Sequence, residues 1–198
     1  MWRINNSTMI EWHKLLTSEN FYPDPSPHYR IFDVLPDDVH SELNSRYIDI
    51  RDKMKPPFGH HSKGQNLQCE LWQELLEDFW NSSDVLHKSW VQMTNQDLPD
   101  DHKVMSVNFS SHPPKDYPGK LLKDWHTDGP EKKLSYIYYL GDGDETHGNF
   151  ELSNHDISRT KDYPYQANSM IIWYNDFGSN HRFRQSNNIR KTVYVSFS

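Results

Sequence analysis

The chain has a single cysteine, Cys69, among its 198 residues. It cannot form an internal disulfide, which separates it from small secreted domains stapled by such bonds and fits a reducing compartment; a cytoplasmic location is the expectation. It also lacks any run of about 18 apolar residues, the length that a membrane-spanning helix requires. The opening stretch, MWRINNSTMIEWHKLL, carries Glu11 and His13 inside its apolar part and does not read as a secretory signal. Nor is there an excess of positive charge: 21 Lys and Arg stand against 28 Asp and Glu, a formal net charge of −7, with a pI near 5.9. That balance argues against a general polyphosphate or nucleic-acid binder. No internal repeat and no low-complexity tract occurs, only a proline-rich loop at Pro23, Pro25 and Pro27.

What the chain does have is aromatic surface. Its 7 Trp, 11 Tyr and 9 Phe supply large apolar area in a polymer whose mean hydropathy is −0.95, which argues for a folded core rather than disorder. At roughly 150 residues per domain, residues 1–198 read as a single domain.

The pattern of that core changes near residue 103. Before it, apolar residues keep helical spacing: Ile10, Leu15 and Leu16 in an opening segment, then Val39, Leu43 and Tyr47 behind Pro36, whose fixed φ suits a helix start. Residues 65–80 place Leu67, Leu71, Trp72, Leu75, Leu76, Phe79 and Trp80 on one stripe, and Ser82 or Ser83 is positioned to cap a further helix running to about Met93. Tyr29–Leu35 reads as a strand leading into these helices. After residue 103 the period shortens, and Lys103–Phe109, Leu134–Leu140, Ser169–Tyr174 and Thr192–Phe197 are β-rich runs separated by Pro, Gly, Asn and Asp. The expectation is a mainly β, α+β fold: a helical support over 1–102 and a β-structure over 103–198, either a sandwich or a jelly roll whose mouth holds a ligand. In the last run, Arg190, Thr192, Tyr194 and Ser196 share one face while Lys191, Val193, Val195 and Phe197 share the other. The polar face is either solvated or lines a pocket.

Trp125-His126-Thr127-Asp128 places an imidazole and a carboxylate two positions apart, so both project to one side of an extended chain and can reach one ion. His181 follows 53 residues after Asp128. Two neutral imidazoles and one carboxylate cap one face of an octahedron and leave the opposite positions open, the arrangement of non-haem Fe(II) oxygenases, although zinc hydrolases use similar ligands. Arg190 lies nine residues beyond His181, and its guanidinium can grip a carboxylate through two parallel hydrogen bonds, or simply pair with a surface acid. Other sets fit less well. His60 and His61 are adjacent and point apart in an extended chain, Asp156 faces away from its neighbour His155, and neither His112 nor His147 has a carboxylate two residues off in a strand. Most of these read as surface histidines, with His147 a candidate for the mouth of the site. Trp72, Trp80 and Trp90 read as core, and Arg182, Arg184, Arg190 and Lys191 as a local basic cluster near the site.

These residues together resemble the Fe(II)- and 2-oxoglutarate-dependent dioxygenases, nearest to the prolyl 4-hydroxylase-like branch. The resemblance runs from about Val104 to Ser198, with a weaker echo in YRIFDVLPDDVHSEL at Tyr29–Leu43. It implies a double-stranded β-helix, or cupin-like jelly roll. It also implies a metal set of His126, Asp128 and His181, with Arg190 and Tyr139 holding the distal carboxylate of 2-oxoglutarate. The strand Lys133–Leu140 is similar to the one that follows HxD in the family, and Ser135, Ile137 and Tyr139 fall on one of its faces, as a shared pocket requires. Ser135, Tyr194 and Asn108 are further candidates for the co-substrate. Asn108 enters because Phe109 stands where relatives often carry a hydrogen-bonding Tyr. Two other departures are the single Gly148 in place of a Gly-Gly pair, and the missing glycine at Asn168, ahead of the Ser169–Tyr174 strand. The implied activity is hydroxylation of a C–H bond in a peptidyl proline, an amino acid or a small metabolite, with Fe(II), dioxygen and 2-oxoglutarate consumed to succinate and carbon dioxide, and ascorbate as an accessory reductant. Nucleic-acid demethylases of the superfamily usually carry a second Arg six residues after the first; here that position is Ser196, which points away from nucleic acid. The competing readings are a non-catalytic cupin-like binding protein and a zinc hydrolase, and the oligomeric state is left open.

Overall fold

Helices come first and most strands follow, as the change of period predicts. The computed structural model describes residues 9–54, 59–97, 103–112, 121–175 and 179–198. Its helices are α1 (Trp12–Leu15), α2 (Asp37–Asp52), α3 (Glu70–Trp80) and α4 (Ser83–Thr94). Its strands are β1 (Phe21–Tyr22), β2 (His28–Phe32), β3 (His60–His61), β4 (Val104–His112), β5 (Leu121–His126), β6 (Leu134–Leu140), β7 (Phe150–Ser153), β8 (Thr160–Tyr163), β9 (Ser169–Tyr174), β10 (Asn180–Arg184) and β11 (Arg190–Phe197). The first eight residues of the opening stretch and residues 113–120 lie outside the described residues. No described helix is long and apolar enough to cross a membrane.

Local chemistry sets several boundaries. Pro36 precedes α2, and Asp37 and Asp38 in its first turn with Arg51 in its last complement the helix dipole. The apolar stripe predicted over 65–80 becomes helical only at Glu70, because Cys69 is extended and the Gln73 side chain accepts the Leu67 N–H at 2.8 Å, holding the preceding segment off the helix axis. Ser82 does not cap α4 as expected: its backbone is helical, and its hydroxyl donates backwards to the Phe79 carbonyl at 2.8 Å. Strand β2 stops at Phe32, short of the expected Leu35, since Asp33 takes a left-handed φ of 49°. Asn168 adopts the same region, φ 52°, and supplies what the missing glycine would have allowed. Its side chain then locks the turn by accepting from Leu35 N–H and donating to Leu35 C=O.

Among the described residues all pairings are antiparallel and form two sheets, a seven-stranded one in the order β1-β2-β9-β6-β11-β4-β3 and a four-stranded one in the order β5-β10-β7-β8. The N-terminal half thus supplies β1, β2 and β3 to the large sheet besides the four helices. Period-two alternation divides the large sheet. Tyr136, Tyr138, Val193, Val195, Val107 and Phe109 join the helical residues Tyr47, Trp72 and Phe79 in one apolar cluster. Ile137, Tyr139, Ile171 and Trp173 pack instead with Phe150, Leu152, Tyr163 and Tyr165 between the sheets. Phe109 therefore faces the helices, at ring distances of 5.6 Å from Tyr47 and 5.3 Å from Trp72, and turns its back on the inter-sheet space. The single Gly148 keeps the turn before β7: its φ is 72°, its N–H donates to the Gln185 carbonyl, and an added Cβ would lie 2.8 Å from the Ser186 side chain.

Candidate metal and acid-binding site

The two sheets open onto a cavity of about 420 Å³, within the usual range for small-ligand sites. Its walls come from five strands and one loop: Ser110 and His112 from β4, Lys123 and His126 from β5, Ile137 from β6, His181 and Phe183 from β10, Arg190, Thr192 and Tyr194 from β11, and Asp128 and Lys132 between β5 and β6. The polar face of β11 is thus not solvated. Arg190 and Thr192 are 3% and 4% exposed and point into the cavity.

His126, Asp128 and His181 offer ligand atoms all within 4.8 Å of one another. His126 ends β5 and stands directly opposite His181 on β10, with ring centroids 4.3 Å apart. Asp128 lies just beyond the strand, so the pair is brought together by the turn at the strand end rather than by alternation along one strand. His126 donates Nδ1–H to its neighbour's carbonyl, Asp124 O, at 2.7 Å, which leaves Nε2 as a free lone pair. His181 is 2% exposed and is oriented by packing: Phe150 stacks on it at 5.6 Å, and Trp173 lies 5.0 Å away. Its Nε2 is 4.0 Å from Asp128 Oδ1.

The protonation states suit a cation. Burial pushes the His181 imidazole down to about 3 and also lowers His126, so both rings are neutral near pH 7. Burial by itself would raise the Asp128 carboxyl, but the neighbouring His181, the Tyr194 hydroxyl and the Lys132 ammonium outweigh it and hold the group below its ordinary value. Two neutral nitrogen donors and one carboxylate, each with its donor atom turned to a common point, fit a divalent transition metal.

Arg190 is the second feature. It opens β11, its Nη2 donates to the Tyr139 hydroxyl at 3.4 Å, and its guanidinium lies 4.6 Å above the Phe183 ring. Its Nε is buried without a hydrogen-bond partner, and no carboxylate pairs with it among the described residues. A buried guanidinium in that condition is strongly disfavoured unless an anion completes it.

Ser135 and Tyr194 are engaged with Asp128. The Tyr194 hydroxyl donates to Oδ2 at 2.8 Å, the Ser135 hydroxyl lies 3.3 Å from the same oxygen, and Ser135 Oγ accepts from Asn175 Nδ2 at 3.0 Å. Asn175 in turn accepts from Trp173 Nε1 at 2.9 Å. The chain pins Oδ2 and leaves Oδ1 towards His181. Asn108 donates to Ser106 at 3.0 Å and is not part of the cavity wall.

The basic cluster does not survive folding. Arg182 and Arg184 both pair with Glu151, and Lys191 donates to Asn44 at 2.7 Å, so only Arg190 of the four reaches the cavity. His61 is buried rather than on the surface, with Nδ1 accepting from Trp80 Nε1 at 2.9 Å. His147 lies outside the cavity, in a loop organised by Asp144. The loop Asp142–Thr146 likewise packs on Ser186 and Asn187 rather than on the cavity. Sequence reading missed Lys123 and Lys132. Lys123 is three residues from His126 and would face the other way in a regular strand, so only the register could reveal it. A further cavity of about 440 Å³ between α2 and α3 is walled by Asp38, Glu42, Glu70 and Glu74 and carries no imidazole.

No family model matches the chain, and no curated protein matches it. Solved structures do. A prolyl 4-hydroxylase from Phytophthora capsici superposes with a TM-score of 0.65 at 15% identity, covering 100% of this chain and 68% of that one. A prolyl-4-hydroxylase from Pseudomonas putida gives 0.59 at 17% identity, with 86% of each chain covered. A Trichoplax adhaerens prolyl hydroxylase, solved with a hypoxia-inducible-factor peptide fragment, gives 0.60 at 12% identity over 86% of this chain and 82% of that one. The chain therefore has the mainly antiparallel, jelly-roll-like fold of these proteins.

Proposed function

We propose that the chain is a non-haem Fe(II)- and 2-oxoglutarate-dependent dioxygenase that hydroxylates a C–H bond of a peptidyl proline, an amino acid or a small metabolite. The observation that carries this reading is the meeting, in one cavity, of a neutral two-histidine, one-carboxylate set with a buried guanidinium that has no acid of its own among the described residues. The fold shared with prolyl hydroxylases supports it. His126, Asp128 and His181 would hold the iron. Bound there, iron(II) supplies the redox chemistry that couples 2-oxoglutarate decarboxylation to hydroxylation, with dioxygen as co-substrate and ascorbate as a reductant that keeps the metal ferrous. Arg190, steadied by Tyr139 and the Phe183 ring, binds the distal carboxylate. Tyr194 and Ser135 fix Asp128 so that it presents one oxygen, which keeps coordination positions open for co-substrates. Residues 1–198 act as one catalytic domain in the cytoplasm, with a double-stranded β-helix core drawn mainly from 103–198 and extended by strands of 1–102.

Purified protein with Fe(II), 2-oxoglutarate and oxygen should form succinate stoichiometrically with the 2-oxoglutarate consumed, slowly when no substrate is added. His126→Ala and Asp128→Ala should lower that rate by more than the ~10–100-fold typical of losing a supporting contact to a metal ligand. Unchanged turnover in both variants refutes the assignment of the triad. Metal and 2-oxoglutarate binding without turnover favours a cupin-like binding protein, and oxygen-independent ester or amide cleavage with Zn(II) favours a hydrolase.

A further inference from the structure

Strand β5 carries an extra residue. His126 pairs with His181, yet the next aligned pair is Lys123 with Phe183, so β5 advances three positions where β10 advances two. In a regular strand Lys123 and His126 would face opposite sides. The bulge turns both to the cavity, opposite two residues that are themselves two apart on β10. Lys132 arrives at the same wall from the loop after Asp128, with Nζ 3.4 Å from the Tyr194 hydroxyl and 5.1 Å from that ring. Among the described residues neither ammonium pairs with a carboxylate.

Resting on the function proposed above, we infer that the substrate is an acid, carrying a carboxylate that Lys123 and Lys132 receive beside the reacting C–H bond. The charges of the loaded site leave this place for it. Iron(II) and the 2-oxoglutarate dianion cancel, Arg190 cancels Asp128, and the two lysines remain. Their positive charge sits in the wall of the cavity, although the chain as a whole is acidic. Lys123 is exposed and Lys132 half-buried, so their charge stands on the solvent side of the cavity, where it attracts and orients an anionic ligand in a salt-dependent way. The neighbouring Arg182 and Arg184 do not compete for it, since both are tied to Glu151, with Asp162 also within electrostatic reach, and neither lines the cavity.

The test is binding, measured calorimetrically with Mn(II) in place of iron and saturating 2-oxoglutarate, so that no turnover occurs. The probes are isosteric pairs, glutamate with glutamine and aspartate with asparagine, offered as free amino acids and as the central residue of capped pentapeptides. An acid should bind about tenfold or more tightly than its amide at 50 mM salt, with the ratio shrinking at 500 mM as screening grows. Preference in the free amino acids alone assigns a metabolite, and in the peptides alone a protein segment. In Lys123→Gln/Lys132→Gln the ratio should approach one. Equal or absent binding of acid and amide by the wild type overturns the inference, as does a preference that survives the double substitution or 500 mM salt. Lysine variants that weaken only 2-oxoglutarate overturn it too. Failure of wild-type protein to bind Mn(II) and 2-oxoglutarate, read in the first titration of the same experiment, instead refutes the oxygenase reading.

Discussion

The two faces of the seven-stranded sheet are built from alternate residues of the same strands, yet they differ in kind. Towards the helices β11 sends Val193, Val195 and Phe197, and β6 sends Tyr136 and Tyr138, all buried in a continuous apolar cluster. Towards the small sheet the same strands send Arg190, Thr192, Tyr194, Ser135 and Tyr139. The helical face is held by burial, at about 25 cal/mol per Å² of apolar surface. The inner face gives up part of that stabilisation, since it buries the Arg190 guanidinium beside a cavity. A single sheet can do both because its side chains alternate and its backbone hydrogen bonds are indifferent to which face is apolar. The difference teaches that the helices are what make the inner face affordable in stability.

Substitutions on the two faces should therefore fail differently. The largest loss of stability is expected on the outer face. Trp72→Ala leaves a void beneath Tyr47 and Phe109 and should cost about 3–5 kcal/mol in chemical denaturation, while the protein that remains folded keeps its 2-oxoglutarate affinity. A change in that affinity matching the stability loss would break the separation of the faces.

Next comes the pH response of the inner face away from the cavity. His28 is fully buried, accepts from the Tyr163 hydroxyl through Nε2 and donates from Nδ1 to Ser26 O at 2.7 Å. Burial pushes it down to about 4 from an ordinary 6.5. Because its pKa is lowered by folding, the unfolded chain binds the proton first as pH falls. The His28 contribution is present above pH 6.5 and is lost progressively towards pH 4, on the order of 3 kcal/mol in all. Denaturation midpoints of metal-free protein between pH 7 and 4 should fall more steeply for the wild type than for His28→Asn; parallel curves would remove His28 from the account.

Smaller effects are expected at the cavity itself, and they should appear in binding rather than stability. Arg190→Leu removes a charge-assisted contact of roughly 1.5–3 kcal/mol, so the 2-oxoglutarate KM should rise about 10- to 100-fold with metal affinity little altered. Tyr194→Phe should weaken metal binding by about tenfold, readable as a changed Co(II) absorption spectrum, with the denaturation midpoint kept. If Tyr194→Phe alters only the 2-oxoglutarate KM, the hydroxyl serves the co-substrate and not Asp128.

Much of this division was legible beforehand. The alternation in Thr192–Phe197 and Leu134–Leu140 named the residues of each face, and residue type and order made His126, Asp128, His181 and Arg190 candidates for one site. Strands β5 and β10 were not legible, because LLKDWH and NHRFR are too charged to read as strands. Their extended form rests on pairing with each other and on the Phe150, Trp173 and Phe183 rings packed around His181. The partners of Arg182, Arg184 and Lys191 were illegible for the same reason. An ion pair between residues 31 positions apart, as in Glu151 and Arg182, leaves no trace in local pattern.

The amino-acid sequence by itself determined which atoms could bind a cation and an acid, and which side of each strong strand is apolar, since both follow from residue type and a period of two. Tertiary structure alone decided that His181 meets His126, that Arg190 is buried without a carboxylate among the described residues, and that a bulge turns Lys123 inwards. Those facts depend on strand register and on burial, which are properties of chains packed against one another and not of any segment read alone.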